Sequence, residues 1–277
     1  FAAAELELNI NRSTISRHIK DLETRLGVTL CRRGRGGFAL TAEGEDVYAG
    51  AIKMMAAMDD FQQGVNDLHR RLTGPLAIAI FDKTATNPQC KIYRALALFD
   101  AEAADVHPEI YVEPINAIEN GVMEGRFQLG VIPNHRPSSS LDYYKLFDEQ
   151  MYLYCSSEHP LFGRPDSGLS ASEVRASKYV GIGYHSPNME VGQEMGQHRE
   201  ATAFDQEAVA HLVLSGAYLG YLPEHYAEGF VSRGKMRALL PAEFQYLCEF
   251  SAIVRHAPTP NRVTQKLLDA LISAHQA

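Results

Sequence analysis

The chain has no long apolar run. Nowhere in its 277 residues do about 18 apolar residues follow one another, so no membrane-spanning helix and no membrane partner are expected. The opening Phe1-Ala-Ala-Ala-Glu5 lacks the basic start and apolar centre of a secretory leader. It also lacks an initiating Met, so the natural N-terminus is expected to lie upstream. Cysteine is scarce. Cys31, Cys90, Cys155 and Cys248 stand far apart without a CxxC pair, the pattern of reduced, buried thiols in a cytoplasmic protein and not of a disulfide scaffold. The signatures GxSxG, HExxH, GxGxxG and the P-loop are missing, and no Cys/His set has metal-ligand spacing. No enzymatic role, cofactor or metal is therefore expected. The 11 histidines are scattered.

What is present is unevenly distributed charge. The net charge is −8, which by itself disfavours nucleic acid. Residues 11–40, however, carry seven basic residues against Asp21 and Glu23, a net of +5, which leaves −13 on the other 247 residues. A local basic patch on an acidic protein is the electrostatic footprint of a DNA-binding module.

The patch has a shape. Ile15, Ile19, Leu22 and Leu26 recur at helical spacing. The other faces carry Asn11, Arg12, Ser13, Thr14, Ser16, Arg17 and Lys20, short polar groups and cations suited to base edges and phosphates. Gly27 stops the helix. Residues 2–8 would form a preceding helix. Arg32-Arg33-Gly-Arg35-Gly-Gly follows, a glycine-rich basic hairpin that would meet phosphate or minor groove. Helix, stop and hairpin together predict a winged helix-turn-helix over residues 1–40.

Thr41-Ala-Glu-Gly44 opens a long helix through residue 73. Val47, Ala51, Met54, Met58, Phe61, Val65, Leu68 and Leu72 alternate spacings of four and three, an unbroken heptad seam. So narrow a seam needs a partner surface, either the same chain's other domain or a second copy. A second copy is preferred, because it would also pair two DNA readers over a two-fold site. Thr73-Gly74-Pro75 ends the helix.

From residue 74 the pattern alternates strand and helix. Strands are expected at Leu76–Ile80, Glu109–Glu113, Phe127–Ile132, Tyr179–Gly183 and Tyr218–Leu222. Helices are expected at residues 88–104 and 115–124, from the Ser170 capping box, from Asp205 to Ser215, and over 259–274. Two α/β halves follow: a first lobe of residues 74–148 and 249–277, and a second of 149–248. In open α/β sheets ligands sit beyond the carboxyl ends of strands. That rule selects Thr84, Ala85, Thr86, Pro133, Asn134, His135, Tyr184, His185, Ser186, Phe204, Asp205 and Pro223 as the binding set. Open helix N-termini there would favour a small organic anion. His135 and His185 could share the cleft.

The motifs Ile15-Ser-Arg-His-Ile19, Leu22-Glu-x-x-Leu26-Gly27-Val28-x-Leu30, Arg32-Arg-Gly-Arg35, Leu40-Thr-x-x-Gly44, Gly74-Pro75-Leu76 and Gly216-Ala-Tyr-Leu-Gly-Tyr-Leu-Pro223 resemble those of the LysR-type transcriptional regulators, over nearly the whole chain. The resemblance implies a winged helix-turn-helix, a linker helix and a two-lobed α/β sensor domain like a periplasmic binding protein. It also implies a homodimer, often a homotetramer, that contacts double-stranded DNA, a small-molecule effector and RNA polymerase. Asn11, Arg12, Ser13, Thr14, Ser16 and Arg17 match the family's DNA-contacting face, and Arg32, Arg33 and Arg35 its wing. The family's first helix is absent at full length, and Cys31 replaces a usual Phe. No close cysteine pair marks a peroxide sensor. A solute-binding receptor without DNA function, or an enzyme on the same two-lobed fold, remains the alternative.

Overall fold

The computed structural model describes residues 4–5, 9–34, 37–68 and 72–276, and its contacts divide the chain into two compact units, Phe1–Asp59 and Asp60–Ala277. Most of the expected first helix and the wing tip at Arg35 lie outside the described residues. In the first unit, α1 (Arg12–Leu26) begins where the Asn11 side chain accepts the Thr14 backbone N–H at 2.9 Å, the ordinary N-cap bond. It stops at Gly27, whose φ of 70° is open to glycine without strain. The wing is an antiparallel pair, β1 (Cys31–Gly34) on β2 (Gly37–Leu40). Ile15 is buried as expected, whereas Leu22 and Leu26 are exposed.

Two side chains lock this unit. Glu23 Oε1 accepts the Leu30 N–H at 2.8 Å, tying α1 to the root of the wing. Thr41 Oγ1 donates to the Thr29 carbonyl at 2.5 Å and accepts the Gly44 N–H at 2.9 Å, which starts α2 (Ala42–Leu68). A Cβ at Gly44 would stand 1.9 Å from the Leu30 carbonyl oxygen. Leu-Thr-x-x-Gly is thus a helix cap followed by a close backbone approach.

The second unit holds a nine-stranded sheet. Its first lobe contains β3 (Gly74–Ile80), α3 (Ile92–Glu102), β4 (Val106–Val112), α4 (Ile115–Glu124) and β5 (Leu129–Pro133). The chain then crosses on β6 (Leu141–Ser156). The second lobe contains α5 (Ala171–Arg175), β7 (Tyr179–Ile182), α6 (Pro187–Glu194), β8 (Arg199–Ala203), α7 (Gln206–Leu214), β9 (Leu219–Pro223), α8 (Glu224–Val231) and β10 (Met236–Ala238). β11 (Gln245–Arg255) crosses back, and α9 (Arg262–Gln276) returns to the first lobe, packing on α3. The order is β4-β3-β5-β11-β6-β9-β7-β8, with β10 on β6. β3 is parallel to both neighbours and so is β7. β6 and β11 pair antiparallel from Gln245↔Tyr152 to Arg255↔Leu141, with a bulge at Phe250/Ser251.

Three expectations change in detail. α3 starts at Ile92, not at residue 88, because Asn87 turns the chain by accepting the Gln89 N–H at 2.9 Å. β4 starts at Val106 and takes in Pro108, which an edge strand tolerates. The helix from Ser170 runs only five residues despite a complete capping box. All four cysteines are buried and free. Among the described residues no helix is long and apolar enough to cross a membrane.

Gly44→Ala should lower the melting transition of the first unit, by about 1–3 kcal/mol for a forced backbone shift, and leave that of the second in place. Differential scanning calorimetry of the full chain checks it; an unchanged first transition would show that the Leu30 carbonyl gives way freely.

Candidate functional site

On α1, Asn11, Arg12, Ser13, Arg17 and Lys20 are exposed, and Thr14 and Ser16 half-buried. The cap engages several of them: Asn11 Oδ1 also accepts the Ser13 hydroxyl at 2.6 Å and the Thr14 hydroxyl at 2.9 Å. Arg12 Nε meets Glu5 Oε2 at 2.7 Å. Arg17 and Lys20, further along the helix, present exposed cations, and Arg32 does so from β1. The Arg33 side chain and Arg35 lie outside the described residues. Along α2, Met54, Met58, Phe61 and Val65 are exposed. Val47 and Ala51 are half-buried, the Leu68 side chain lies outside the described residues, and Leu72, expected on the seam, lies beyond the end of α2 and packs against the core of the second unit.

In the second unit both lobes reverse strand order at one strand: β3 lies between β4 and β5, and β7 between β8 and β9. Their carboxyl ends are therefore topological switch points. Phe81 and Asp82 leave the first, Gly183 and Tyr184 the second. Between them lies a small cavity of about 20 Å³, room for roughly one water. The first lobe lines it with Phe81, Ile115 and Pro133, and the second with Tyr184, Ser186, Asn188 and Gln206. The crossing ladder supplies Glu149 and Cys248, which are paired register partners.

The lobes meet across this cleft. Asp82 Oδ2 accepts the Gln206 N–H at 2.9 Å. The Lys83 ammonium pairs with the Glu207 carboxylate. Thr86 Oγ1 lies 2.8 Å from His225 Nδ1, whose Nε2 is 2.9 Å from Glu149 Oε1. The His135 and His185 rings stand 5.1 Å apart between centroids. Burial, foremost, and the Asp205 and Glu149 charges push the Asp82 carboxyl up to about 6, against the opposing Gln206 bond and Lys83 charge. Burial also raises Glu149, which His225 opposes. Burial lowers His135, with His185 adding to the effect. Among the described residues no group of three His, Cys, Asp or Glu is placed to hold a metal ion.

Of the residues selected from sequence, Pro133, Tyr184 and Ser186 line this cavity. Thr84 is buried in a short 3-10 turn, and Ala85 and Thr86 are exposed on it. Asn134 bonds Glu249 Oε1 at 2.7 Å, Phe204 is exposed, Asp205 caps α7, and Pro223 caps α8. A larger hollow of about 660 Å³ lies beside His225 and includes Thr86. Its polar lining is largely committed: Asn87 Nδ2 donates to the Asp148 carbonyl at 3.1 Å, and Gln150 Nε2 to that of Tyr246 at 3.2 Å. The small cavity differs, since Tyr184 OH, Asn188 Nδ2 and Gln206 Oε1 beside it are buried without partners, as is Asp82 Oδ1.

Of the helix N-termini at these strand ends, those of α6 and α7 carry side-chain caps, whereas those of α4 and α8 carry none. Ser186 accepts the Met189 N–H at 3.3 Å, Asp205 that of Ala208 at 2.7 Å, and Asp82 that of Gln206. Sequence inspection passed over Asp82, Glu149, Asn188 and Gln206. Asp82 lies two residues beyond β3, Gln206 directly follows the Asp205 cap expected from sequence, and Asn188 lies two residues after Ser186, which caps a helix that the sequence reading did not expect.

A raised carboxyl pKa favours folding below its unfolded value of 3.8, and that contribution fades as pH rises through about 6. Asp82→Asn cannot titrate. Its stability relative to the parent should therefore increase between pH 4 and 7, by up to about 2 kcal/mol. Denaturant melts at both pH values check this; a pH-independent difference would mean that Asp82 ionises normally.

Two family models cover most of the chain: the bacterial regulatory helix-turn-helix protein of the lysR family over residues 1–45 and the LysR substrate binding domain over residues 69–276. The HTH-type transcriptional activator BauR of Pseudomonas aeruginosa is 41% identical over 271 residues, covering 98% of this chain and 89% of that protein. The probable regulator LrrA of Synechococcus elongatus is 35% identical over 72% of this chain and 66% of its own length. Among solved structures, CbnR, a LysR family transcriptional regulator, is similar with a TM-score of 0.67 at 16% identity, covering 100% of this chain and 94% of CbnR. CbnR complexed with its target DNA gives a TM-score of 0.65 at 17% identity, over 99% of this chain and 93% of that one. These are regulators of transcription, not enzymes, and this chain, with its winged helix-turn-helix and its two-lobed effector-binding domain, belongs to the LysR family of transcriptional regulators.

Proposed function

We propose that this regulator reads duplex DNA with Asn11, Arg12, Ser13, Thr14, Ser16, Arg17 and Lys20 of the α1 face and with Arg32, Arg33 and Arg35 of the wing. The observation that carries this is the exposed Arg17–Lys20 face on α1 with Ile15 buried. Cations so placed gain from phosphate contact and counterion release. Residues 1–40 serve as the reading head, 41–73 as linker and 74–277 as the sensor.

Two copies pair through α2. Met54, Met58, Phe61 and Val65 expose an apolar stripe at heptad spacing, which a second helix would cover. Pairing of dimers into a tetramer, contact with RNA polymerase and a cytoplasmic location belong to the same proposal. They rest on the resemblance, and a relative named as a transcriptional activator supports the polymerase contact. A small polar effector enters between the lobes at the switch-point cavity and alters how the two copies hold the DNA.

Arg17→Ala should weaken promoter binding about tenfold, the scale of one lost charged contact, and flatten the salt dependence by about one unit of slope. Fluorescence anisotropy at several salt concentrations measures both; unchanged affinity would take Arg17 off the DNA face. Replacing Met58 and Phe61 together by Asp should dissociate the dimer in sedimentation equilibrium, and a mutant that still sediments as a dimer would refute the seam.

A further inference from the structure

We infer that the effector held between the lobes carries an ammonium group, which the carboxyls of Asp82 and Glu149 recognise together with the Gln206 side-chain oxygen, while Asn188 donates to an acceptor elsewhere on the same molecule. This rests on the proposal that the interlobe cavity is the effector site, and it adds the chemical class.

The first observation is the balance of unpaired groups. Asn188 and Gln206 are each only 4% exposed, and both line the cavity. Gln206 Oε1 is an acceptor without a donor, and so is Asp82 Oδ1, whose other oxygen is bound to the Gln206 N–H. Asn188 Oδ1 accepts the Tyr179 hydroxyl at 3.1 Å and the Ile182 N–H at 3.2 Å, which fixes the amide, and its Nδ2, beside Tyr246, makes no well-formed hydrogen bond. A buried polar atom left unpaired costs about 1–3 kcal/mol. Several in one place form a site that a ligand with matching groups completes. Two of the unpaired groups can only accept, and an ammonium offers three N–H donors.

The second observation is charge. Glu149 lines the cavity at 3% exposed, and Asp82 lies close enough for their charges to interact. No lysine or arginine lines the cavity. The adjacent Lys83 is held by Glu207, which also accepts the Tyr226 hydroxyl at 3.1 Å. An anion entering here would face two carboxyls whose nearest basic groups, His225 on Glu149 and Lys83 held by Glu207, are already engaged, whereas an ammonium would relieve the repulsion between the carboxyls. The polar gatekeepers come from both lobes: Asp82 from the first, Asn188 and Gln206 from the second, Glu149 from the strand joining them. A cation bound to all of them would hold the lobes together, and the present volume of about 20 Å³ means that they part to admit it.

The test uses the full-length chain and matched pairs differing only in the amine: 2-, 3- and 4-amino acids against their unsubstituted carboxylic acids, and short diamines against diols. Thermal shift finds binders and calorimetry gives Kd. At least one amine should raise the melting point while its amine-free partner does not. Asp82→Asn and Glu149→Gln should each weaken that amine at least tenfold. Ser186→Trp, which fills the cavity, locates binding. If an amine-free acid binds and Ser186→Trp abolishes it, the cavity is the effector site and the ammonium inference is wrong. If binding survives Ser186→Trp, the cavity proposal itself fails. A panel without any amine binder, or amine binding indifferent to both carboxyl variants, overturns the inference.

Discussion

The sensor unit depends on one ladder. β6 and β11 are each long enough to serve both lobes, and they pair antiparallel across the junction. Every other strand belongs to one lobe and reaches the other only through this pair. Two consequences follow. The ladder hydrogen bonds fix the lobes on a common axis, while the bulge at Phe250/Ser251 interrupts the pairing near the crossing and increases local twist. The register also sets Glu149 opposite Cys248, so a carboxyl and a thiol face the junction from adjacent strands. Both lobes then turn a switch point toward that place, and side chains meet across it: Asp82 with Gln206, Lys83 with Glu207, Thr86 with His225, and the His135 ring with that of His185. A domain with a continuous spine and lateral contacts made by polar side chains is suited to opening around the spine when a ligand changes those contacts.

The DNA-reading unit follows a different economy. It has little core, and Ile15, Leu30, Cys31 and Ala56 are among its few buried apolar residues. Its shape comes from polar side chains that tie backbone to backbone: Asn11 at the start of α1, Glu23 at the root of the wing, Thr41 between wing and α2. Two of these residues, Glu23 and Thr41, stand within the motifs Leu22-Glu-x-x-Leu26 and Leu40-Thr-x-x-Gly44 that carry the family resemblance. The exposed cations are the remainder, positioned by this frame and not part of it.

Much of this was legible from the residues alone, where local chemistry decides. Gly27, the Ser170 capping box and the Asp205 cap each act within a few positions, and the helical period of α1 and α2 is plain. The parallel strands β3, β5, β7 and β9 showed as short apolar runs because both their faces are covered. The cavity was legible only in outline. Strand ends pointed to the right region, and Pro133, Tyr184 and Ser186 came from that rule. Thr84 to Thr86 did not enter the cavity because the chain turns away into a 3-10 turn after Asp82. Glu149 was hidden for another reason: the lobe boundary was expected at 148/149, but the strand-end rule does not select a residue in the middle of a strand. The partnerless state of Asn188 and Gln206 is likewise a property of three dimensions, since nothing in their neighbours along the chain withholds a hydrogen-bond partner. The anion expectation treated every helix N-terminus as open, whereas Ser186 caps α6 and Asp205 and Asp82 take N–H groups at the start of α7.

A crystal structure of the full-length chain with its effector tests the central claim most directly. The account predicts the effector between Tyr184 and Gln206, with a donor nitrogen against the Asp82 carboxyl and the lobes closed on it. An effector seated in the larger hollow beside His225, or one that turns a carboxylate toward Asp82, would contradict it.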